Sequence, residues 1–382
     1  MATAAFFSCA HAPYEARPKP TPLERAHHYV QNGEPQRALP LLAELEKASP
    51  DSLEIARLKA EAYVRAGRAA ELTAELESHP ASRAATHYLL ALIYAAGAAQ
   101  PEHGAAAACA QLEAAIALRP SEAELHYRLG LVLLSLKRPE QAIGPLRRAI
   151  ELDGKRTAPF LSLAKALHQV GRRDEALTAL AEWTRRGPPE AELAVAKSVM
   201  DEIAPPFDGM PTSAQPICLK AAALLEEDDP VSAIALLEQL AREHPQAAIV
   251  HALLALCHRR LDEAGRAIDE LREAIALAPS DGRSHQYLGE VYLERRQLAQ
   301  AKSEFARAIE LNPLLEHAHL ALAQLAMEES DLPGARRHLT IAVSLDPHNP
   351  AVAQQLGVLN LRALRHAASA EEREQSRAEA VR

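Results

Sequence analysis

A phrase of about 34 residues recurs along most of this chain and constrains the fold more than any other feature. The clearest copy places aromatic or histidine, leucine, glycine and small residues at fixed spacing and closes on a proline; it consists of His285, Leu288, Gly289, Tyr292, Ala301, Phe305, Ala308 and Pro313. A unit this short cannot bury its apolar face alone, so neighbouring copies must stack to form a core. The repeat therefore predicts a stacked array with an extended binding surface.

The composition favours helices. Apolar residues make up 48% of the chain but aromatic residues only 4%, so alanine fills much of the expected core. Alanine, leucine, glutamate and arginine are good helix formers. Runs of β-branched and aromatic residues, which are typical of strands, are missing from the sequence. We predict an all-α fold.

Each copy reads as two antiparallel helices, which we name helix A and helix B, joined by a tight turn that glycine often marks. About nine copies share one phase along the chain. In the second copy Pro80 comes early, which predicts a short helix B, and the third copy carries an extra loop near Ala98–Gly104. The pattern predicts a solenoid of helix pairs, in which small residues such as Gly289 and Ala301 allow the two helices to approach closely.

The regular spacing of the repeats, and its interruptions, divide the chain into segments. Four prolines between Pro205 and Pro216 exclude a helix there and interrupt the array. We predict a disordered segment at 1–19, an N-terminal array of about five repeats at 20–190, an extra helix with a Pro-rich linker at 191–216, a C-terminal array of about four repeats at 217–349, and a capping helix with a charged tail at 350–382. Two alternatives stay open for the linker: a hinge between the arrays, or a rigid junction locked by the extra helix.

These copies resemble the tetratricopeptide-repeat (TPR) family over roughly residues 20–366. The resemblance implies a right-handed superhelix whose concave surface is lined mainly by A helices. It also implies that this surface holds a peptide or an extended segment of a partner protein. Some members of the family bind a partner's terminal carboxylate through a Lys-Asn-Asn-Lys-Arg set. The corresponding positions of this sequence lack that set, so we do not carry the chaperone-type function over.

The resemblance also indicates which residues face the groove, because they lie on helix A on the side away from helix B. In the N-terminal array the candidates are Arg57, Glu61, Arg65, Tyr88, Glu124, Tyr127, Arg128, Lys165 and His168. In the C-terminal array they are Arg259, Arg260, Arg283, Gln286, Glu290, Glu294, His317, Gln324 and Glu328.

Two interpretations of these candidates stay open. The arginines of the C-terminal array form a basic patch for an acidic partner, or they pair with Glu290 and Glu294. Tyr88 and Tyr127 anchor a peptide, or they pack within the protein.

Motifs for catalysis, phosphate binding or metal binding are missing from the sequence. The 17 histidines include four, His126, His251, His285 and His319, that share one slot of the repeat and are interpreted as substitutes for a core aromatic residue. The acidic run Glu226–Asp229 lacks the ligand spacing of a calcium loop and reads as a helix cap. We predict no catalytic residue, cofactor or metal, and a protein that is not an enzyme.

Charge and the ends of the chain bear on partners and location. The net charge of −9 gives no support for nucleic-acid binding. The cysteines are widely spaced, and the sequence lacks an apolar stretch of 18 residues. The start of the chain resembles a signal peptide too weakly to indicate export, so these features favour the cytoplasm. The Ala- and Arg-rich composition is typical of bacteria. The leading hypothesis is a protein-interaction scaffold. The alternatives are a recruiting subunit of a separate enzyme and an exported cell-envelope assembly factor.

Overall fold

A computed structural model of the protein describes residues 20–78, 83–97, 104–205, 207 and 210–364. Within these ranges the chain forms α-helices and one 3-10 helix, and no strand is found. The prediction of an all-α solenoid is confirmed. Pro80, most of the predicted loop of the third copy, the segment 1–19 and the charged tail lie outside the described residues.

The chain divides into two compact units, Met1–Leu136 and Lys137–Arg382. The helices of the first unit are α1 (Pro22–Gln31), α2 (Pro35–Ala48), α3 (Leu53–Arg65), α4 (Ala69–Ser78), α5 (Ala84–Ala95), α6 (Gly104–Leu118) and α7 (Ala123–Ser135). Consecutive helices pack against each other, and α3 packs against both α1 and α5. Helix α4 has 10 residues, which confirms the short helix B of the second copy. The sequence suggested that Gly104 belongs to the extra loop, but Gly104 is the first residue of α6.

The second unit contains the remaining helices. They are α8 (Pro139–Leu152), α9 (Ala158–Gln169), α10 (Arg173–Arg185), the 3-10 helix Glu190–Glu192, α11 (Leu193–Ile203), α12 (Gln215–Glu226), α13 (Pro230–Glu243), α14 (Ala248–Arg260), α15 (Ala264–Leu277), α16 (Gly282–Glu294), α17 (Leu298–Leu311), α18 (Glu316–Glu328) and α19 (Leu332–Leu345). A last helix, α20, spans residues 350–364. Helices α12 to α19 form four A–B pairs, as the periodicity predicted. The array boundaries drawn from the sequence stay predictions.

The turn between helix A and helix B contains one residue with positive φ, and this residue recurs with the repeat. In the first, second, third and fifth copies it is Gly33, Gly67, Gly97 and Gly171. The other copies use residues with a side chain: Lys137, Asp228, Asp262, Arg296 and Ser330. Because a Cβ atom makes this conformation unfavourable, glycine is the preferred residue there. The copies without glycine therefore keep the turn at some cost in stability.

Close packing of small and large residues holds each pair together. A Cβ atom placed on Gly289 of α16 would lie 3.0 Å from ring atoms of Phe305 on α17. Phe305 and Ala301 are both fully buried in the core of this array. The structure thus confirms that Gly289 allows the close approach of helices A and B in the eighth copy.

The segment between α11 and α12 is anchored to the C-terminal array. Met210 is buried, and its sulfur lies 3.5 Å from the Cys218 sulfur of α12. Phe207 packs against the same apolar cluster. The segment thus buries apolar side chains on the array that follows it.

Helix α10 of the fifth copy packs against α17 and α19, the B helices of the eighth and ninth copies. The guanidinium of Arg173 on α10 donates from Nη1 to Ser280 Oγ at 2.7 Å and from Nη2 to the Ser280 carbonyl at 3.2 Å. These contacts join residues far apart in sequence across the Pro-rich segment. They favour a fixed junction over a hinge.

Candidate partner-binding groove

Four consecutive A helices, α12, α14, α16 and α18, form a groove of about 670 Å³. We name it the C-terminal groove. It is lined by Ala222, Leu225, Glu226, Leu253, Leu256, Arg259, Arg260, Gln286, Tyr287, Glu290, Leu293, Glu294, Phe305, His317, Leu320, Ala321 and Gln324. All of these except Phe305 lie on A helices, in agreement with the expected role of helix A.

The floor of the C-terminal groove is apolar. Leu225, Leu253 and Leu320 come from three different A helices and are buried, whereas Leu256 and Leu293 are half-buried beside them. These leucines lie on the side of the A helices that lines the groove. A surface of this kind accepts apolar side chains of a partner segment.

Arg259 forms two of the ion pairs in this groove. Its guanidinium forms ion pairs with Glu290 and with Glu294 of the next A helix, the second at 3.1 Å. Arg260 pairs with Asp228 at 3.2 Å, and Arg283 pairs with Asp281 at 3.3 Å.

Arg259 therefore follows the alternative of pairing with Glu290 and Glu294, whereas Arg260 and Arg283 pair with other carboxylates, so the three arginines do not form one unpaired basic patch. Arg283 is also absent from the lining of the groove, because its guanidinium is held beside the N-terminus of α16 by Asp281.

Gln286 contributes a buried polar group to the C-terminal groove. Its side chain is 6% exposed, and its Nε2 donates to Glu290 Oε1 at 2.9 Å. Its Oε1 atom has no hydrogen-bond partner among the described residues. A buried carbonyl oxygen without a partner carries a desolvation cost of roughly 1–3 kcal/mol.

Of the remaining candidates in this array, Glu294, His317 and Gln324 line the groove. Glu328 is exposed at the end of α18 and is not among the lining residues. The sequence thus predicted most of the polar rim. The leucine floor and Tyr287 were not among the candidates, although the repeating leucines beside them were a signal.

The candidates on α3 form a local ion-pair cluster in the first unit. Arg65 and Arg57 both pair with Glu61, at 2.7 Å and 4.0 Å. Arg65 also donates to the Val30 carbonyl of α1 at 2.6 Å, so it links two A helices. This cluster neutralises charge within the protein and offers one partly exposed carboxylate between two arginines.

Tyr88 is not available to anchor a peptide. Its side chain is fully buried, and its hydroxyl donates to Glu124 Oε1 of α7 at 2.7 Å. The same oxygen accepts from Arg128 Nε at 2.6 Å. Burial, together with the Glu124 carboxylate, raises the pKa of the Tyr88 hydroxyl. The alternative of packing within the protein is correct for Tyr88, because its ring fills the space between consecutive A helices; Tyr127, on the same helix as Glu124, is half-buried.

The last two N-terminal candidates lie on α9, in the second unit. Lys165 reaches Glu202 of α11 at 3.5 Å, and His168 is half-buried in the last turn of α9. The extra helix α11 therefore lies beside the A helix of the fifth copy and takes part of its groove face.

The sequence predicted that the four recurring histidines substitute for a core aromatic residue, and most of them do not. Only His319 is buried among the four, whereas His126, His251 and His285 are half-buried. His251 Nδ1 bonds Glu270 at 2.8 Å, and His285 Nδ1 bonds Glu304 at 2.7 Å, in each case 19 residues further on. Their role is to join helix A to helix B. The repeated 19-residue spacing of histidine and glutamate in the sequence was a signal for these contacts between helix A and helix B.

Asp229 of the acidic run caps α13 by accepting from the backbone amide of Ser232 at 3.1 Å, as the sequence indicated.

In the part of the chain that the structure describes, no three histidine, cysteine or acidic side chains lie close enough to hold a metal ion. The described helices also include none that is long and apolar enough to cross a membrane.

Comparison with known proteins identifies the family. The model of the tetratricopeptide repeat matches residues 23–71, 98–157, 218–282 and 288–350, which is more than half of the chain. The chain belongs to the tetratricopeptide-repeat family. No curated protein matches it in a sequence search.

Solved structures give more distant likenesses. The pilF protein of Pseudomonas aeruginosa is 15% identical with a TM-score of 0.33, covering 62% of this chain and 96% of its own. The Cut9–Hcn1 hetero-tetramer of the APC/C has a chain 15% identical with a TM-score of 0.36, covering 88% of this chain and 62% of its own. The first TPR domain of Spaghetti (RPAP3), bound to the HSP90 peptide SRMEEVD, is 17% identical with a TM-score of 0.30, covering 31% of this chain and 93% of its own. With TM-scores this low, the assignment rests on the family model.

Proposed function

We propose that the protein is a non-catalytic scaffold that holds an extended segment of a partner protein in the C-terminal groove. One observation carries the proposal: the predicted polar candidates of three successive A helices, α14, α16 and α18, converge on a single groove with a leucine floor. The family as a whole supports a protein-interaction role. The cytoplasm is the location that we propose, from the sequence features described above.

The chemistry of the groove indicates the kind of segment that it accepts. Leucine side chains on the floor favour apolar residues, and the paired charges around Arg259 provide both donors and acceptors at the rim. We therefore expect selected peptides to combine apolar residues with polar ones, without a strong preference for acidic residues.

The experiment begins with a random peptide library screened against the full chain. One selected peptide is then titrated by fluorescence polarisation. The Ala222→Arg variant places a long side chain into the groove from a half-buried position of α12. Ala223→Arg is the matched control, because residue 223 is exposed and is not among the groove residues.

We expect Ala222→Arg to weaken peptide binding at least about ten-fold, which corresponds to roughly 1.4 kcal/mol, and Ala223→Arg to leave it unchanged. Equal affinity for both variants would place the binding surface elsewhere, and failure to select any peptide would contradict the proposal. A charge reversal at Arg259 is a poorer test. It would bring three carboxylates together with Glu290 and Glu294 and disturb the fold.

A further inference from the structure

A second cavity, of about 830 Å³, lies where α10 packs against α17 and α19 in the second unit. Its lining shares no residue with the C-terminal groove. A volume of this size is in the range of small-molecule sites. Two of its helices, α17 and α18, also contribute to the C-terminal groove, but through other residues.

The cavity is basic although the chain around it is acidic. Four cationic side chains line it against two carboxylates: Arg185, Lys302, Arg307 and Arg337 against Asp174 and Glu310. Residues 205–382, which include three of the four cations, carry 18 lysines and arginines against 26 acidic residues. Among the lining residues alone the cavity has an excess of two cations, and it favours an anion through whichever of these cations lacks a carboxylate partner.

Most of these cations already have a carboxylate partner. Arg307 pairs with Glu310 at 3.0 Å, Arg185 with Glu182 on its own helix, and Lys302 with Glu329. Arg337 has no ion-pair partner among the described residues. Its planar guanidinium, with parallel N–H donors, matches a carboxylate or a phosphate.

His338 lies next to Arg337 and departs from the pattern of the other copies. At the position where the seventh and eighth copies have Glu270 and Glu304, the ninth has this histidine, whose Nδ1 lies 3.1 Å from His319 Nδ1. The buried His319 also places its Nε2 3.2 Å from the Pro313 carbonyl. A carbonyl oxygen only accepts, so the proton of a neutral His319 is on Nε2 and its Nδ1 must accept from His338.

The other ring nitrogen of His338, Nε2, therefore carries no proton in the neutral ring, and no described residue bonds to it. Burial and the neighbouring Arg337 lower the pKa of His338 to about 4, with Asp331 opposing them. The charged and titratable groups around this ring are Asp174 and Arg185 on α10, Lys302, Arg307 and Glu310 on α17, His319 on α18, and Arg337 with Asp331 at its own helix. A bound anion would offset the repulsion from Arg337, and a proton taken from water would turn Nε2 into a donor to that anion.

We propose that this cavity is a binding site for a small organic anion, whose carboxylate or phosphate group is held by Arg337 and His338. The apolar body of the ligand lies against Leu177, Leu322 and Ile341, three buried side chains from α10, α18 and α19. Because the ligand touches both sides of the contact between the fifth copy and the last two, binding also strengthens that contact.

The test is isothermal titration calorimetry of the full chain with benzoate and with phenyl phosphate, using benzyl alcohol as the uncharged analogue. These two anions share an apolar ring and distinguish a carboxylate site from a phosphate site. Arg337→Gln removes the unpaired cation. Arg336→Gln is the matched control, because Arg336 is exposed like Arg337 and carries the same charge but does not line the cavity.

We expect at least one anion to bind and the alcohol not to bind. Arg337→Gln should weaken binding at least about ten-fold, the usual loss for a charge-assisted contact, and Arg336→Gln less than about two-fold. His338→Glu, which restores the histidine–glutamate pair of the neighbouring copies and adds a negative charge, should abolish binding while the helical circular dichroism stays unchanged. Failure of both anions to bind at millimolar concentration, or an equal loss in both arginine variants, would overturn the proposal.

Discussion

The indole of Trp183 donates from Nε1 to a carboxylate oxygen of Glu192 at 2.9 Å. The other oxygen of Glu192 accepts from the Thr157 hydroxyl at 2.9 Å. Trp183 is fully buried in a slot of helix B where the repeat normally has a small residue. The 3-10 helix that carries Glu192 therefore covers an unusually large side chain and satisfies its polar atom.

Removing this carboxylate should destabilise the second unit. Glu192→Ala leaves the buried indole N–H and the Thr157 hydroxyl without their acceptor, at a cost of about 2 kcal/mol. The measurement is the urea midpoint followed by circular dichroism. Glu190→Ala, at an exposed position of the same 3-10 helix, is the control and should leave the midpoint unchanged. Equal midpoints for the two variants would show that the Trp183 contact does not contribute to stability.

The turn residue Arg296 gives a stabilising prediction. Its φ of 58° is unfavourable for a residue with a Cβ atom. Arg296→Gly relieves this strain, and after the entropy that glycine adds to the unfolded chain we expect a gain of about 0.5 kcal/mol. The preceding residue, Arg295, has an ordinary φ of −80°, so Arg295→Gly should give no gain. A lower midpoint for Arg296→Gly than for the parent would contradict the strain argument.

The sequence predicted the features that depend on local spacing. Glycine and alanine at a fixed period specified where helices A and B cross, and Gly289 against Phe305 shows why a small residue is needed there. Contacts between distant copies were beyond such reasoning. Arg173 and Ser280 lie 107 residues apart, and no periodic pattern predicts that their side chains meet.

The candidate site also combines features that the sequence predicted with contacts that it did not predict. The resemblance to the family implied that Gln286 and Gln324 face the groove, and both line it. The resemblance did not show that Arg259 is neutralised by Glu290, since an ion pair depends on side-chain reach across two helices. Nor did it show that Tyr88 is buried, because that depends on the distance between neighbouring A helices.

Overpacking of the core tests the phase of the repeat. Ala301 is fully buried between the helices of the eighth copy, so Ala301→Trp should destabilise the array by about 3 kcal/mol or more. Ala299→Trp, two residues earlier at an exposed position of α17, should have little effect. Thermal melting of both variants separates the outcomes. An unchanged melting curve for Ala301→Trp would show that the assigned phase is wrong.

The pair of His319 and His338 predicts how stability depends on pH. Burial, with a smaller contribution from His338, lowers the pKa of His319 to about 4, below the ordinary value of about 6.5. Between these values the unfolded chain takes up a proton that the folded protein does not. The stability from a neutral His319 is thus fully present above pH 6.5 and is lost as the pH falls towards 4, by up to about 3 kcal/mol.

His338→Glu isolates this effect. A carboxylate beside His319 Nδ1 favours the protonated ring, so the loss on acidification should shrink. Urea midpoints measured at pH 7.5 and pH 5 for the parent and the variant give the comparison, in which carboxylates elsewhere in the protein affect both chains equally. If the variant loses as much stability as the parent between these pH values, the histidine pair is not the source of the acid sensitivity.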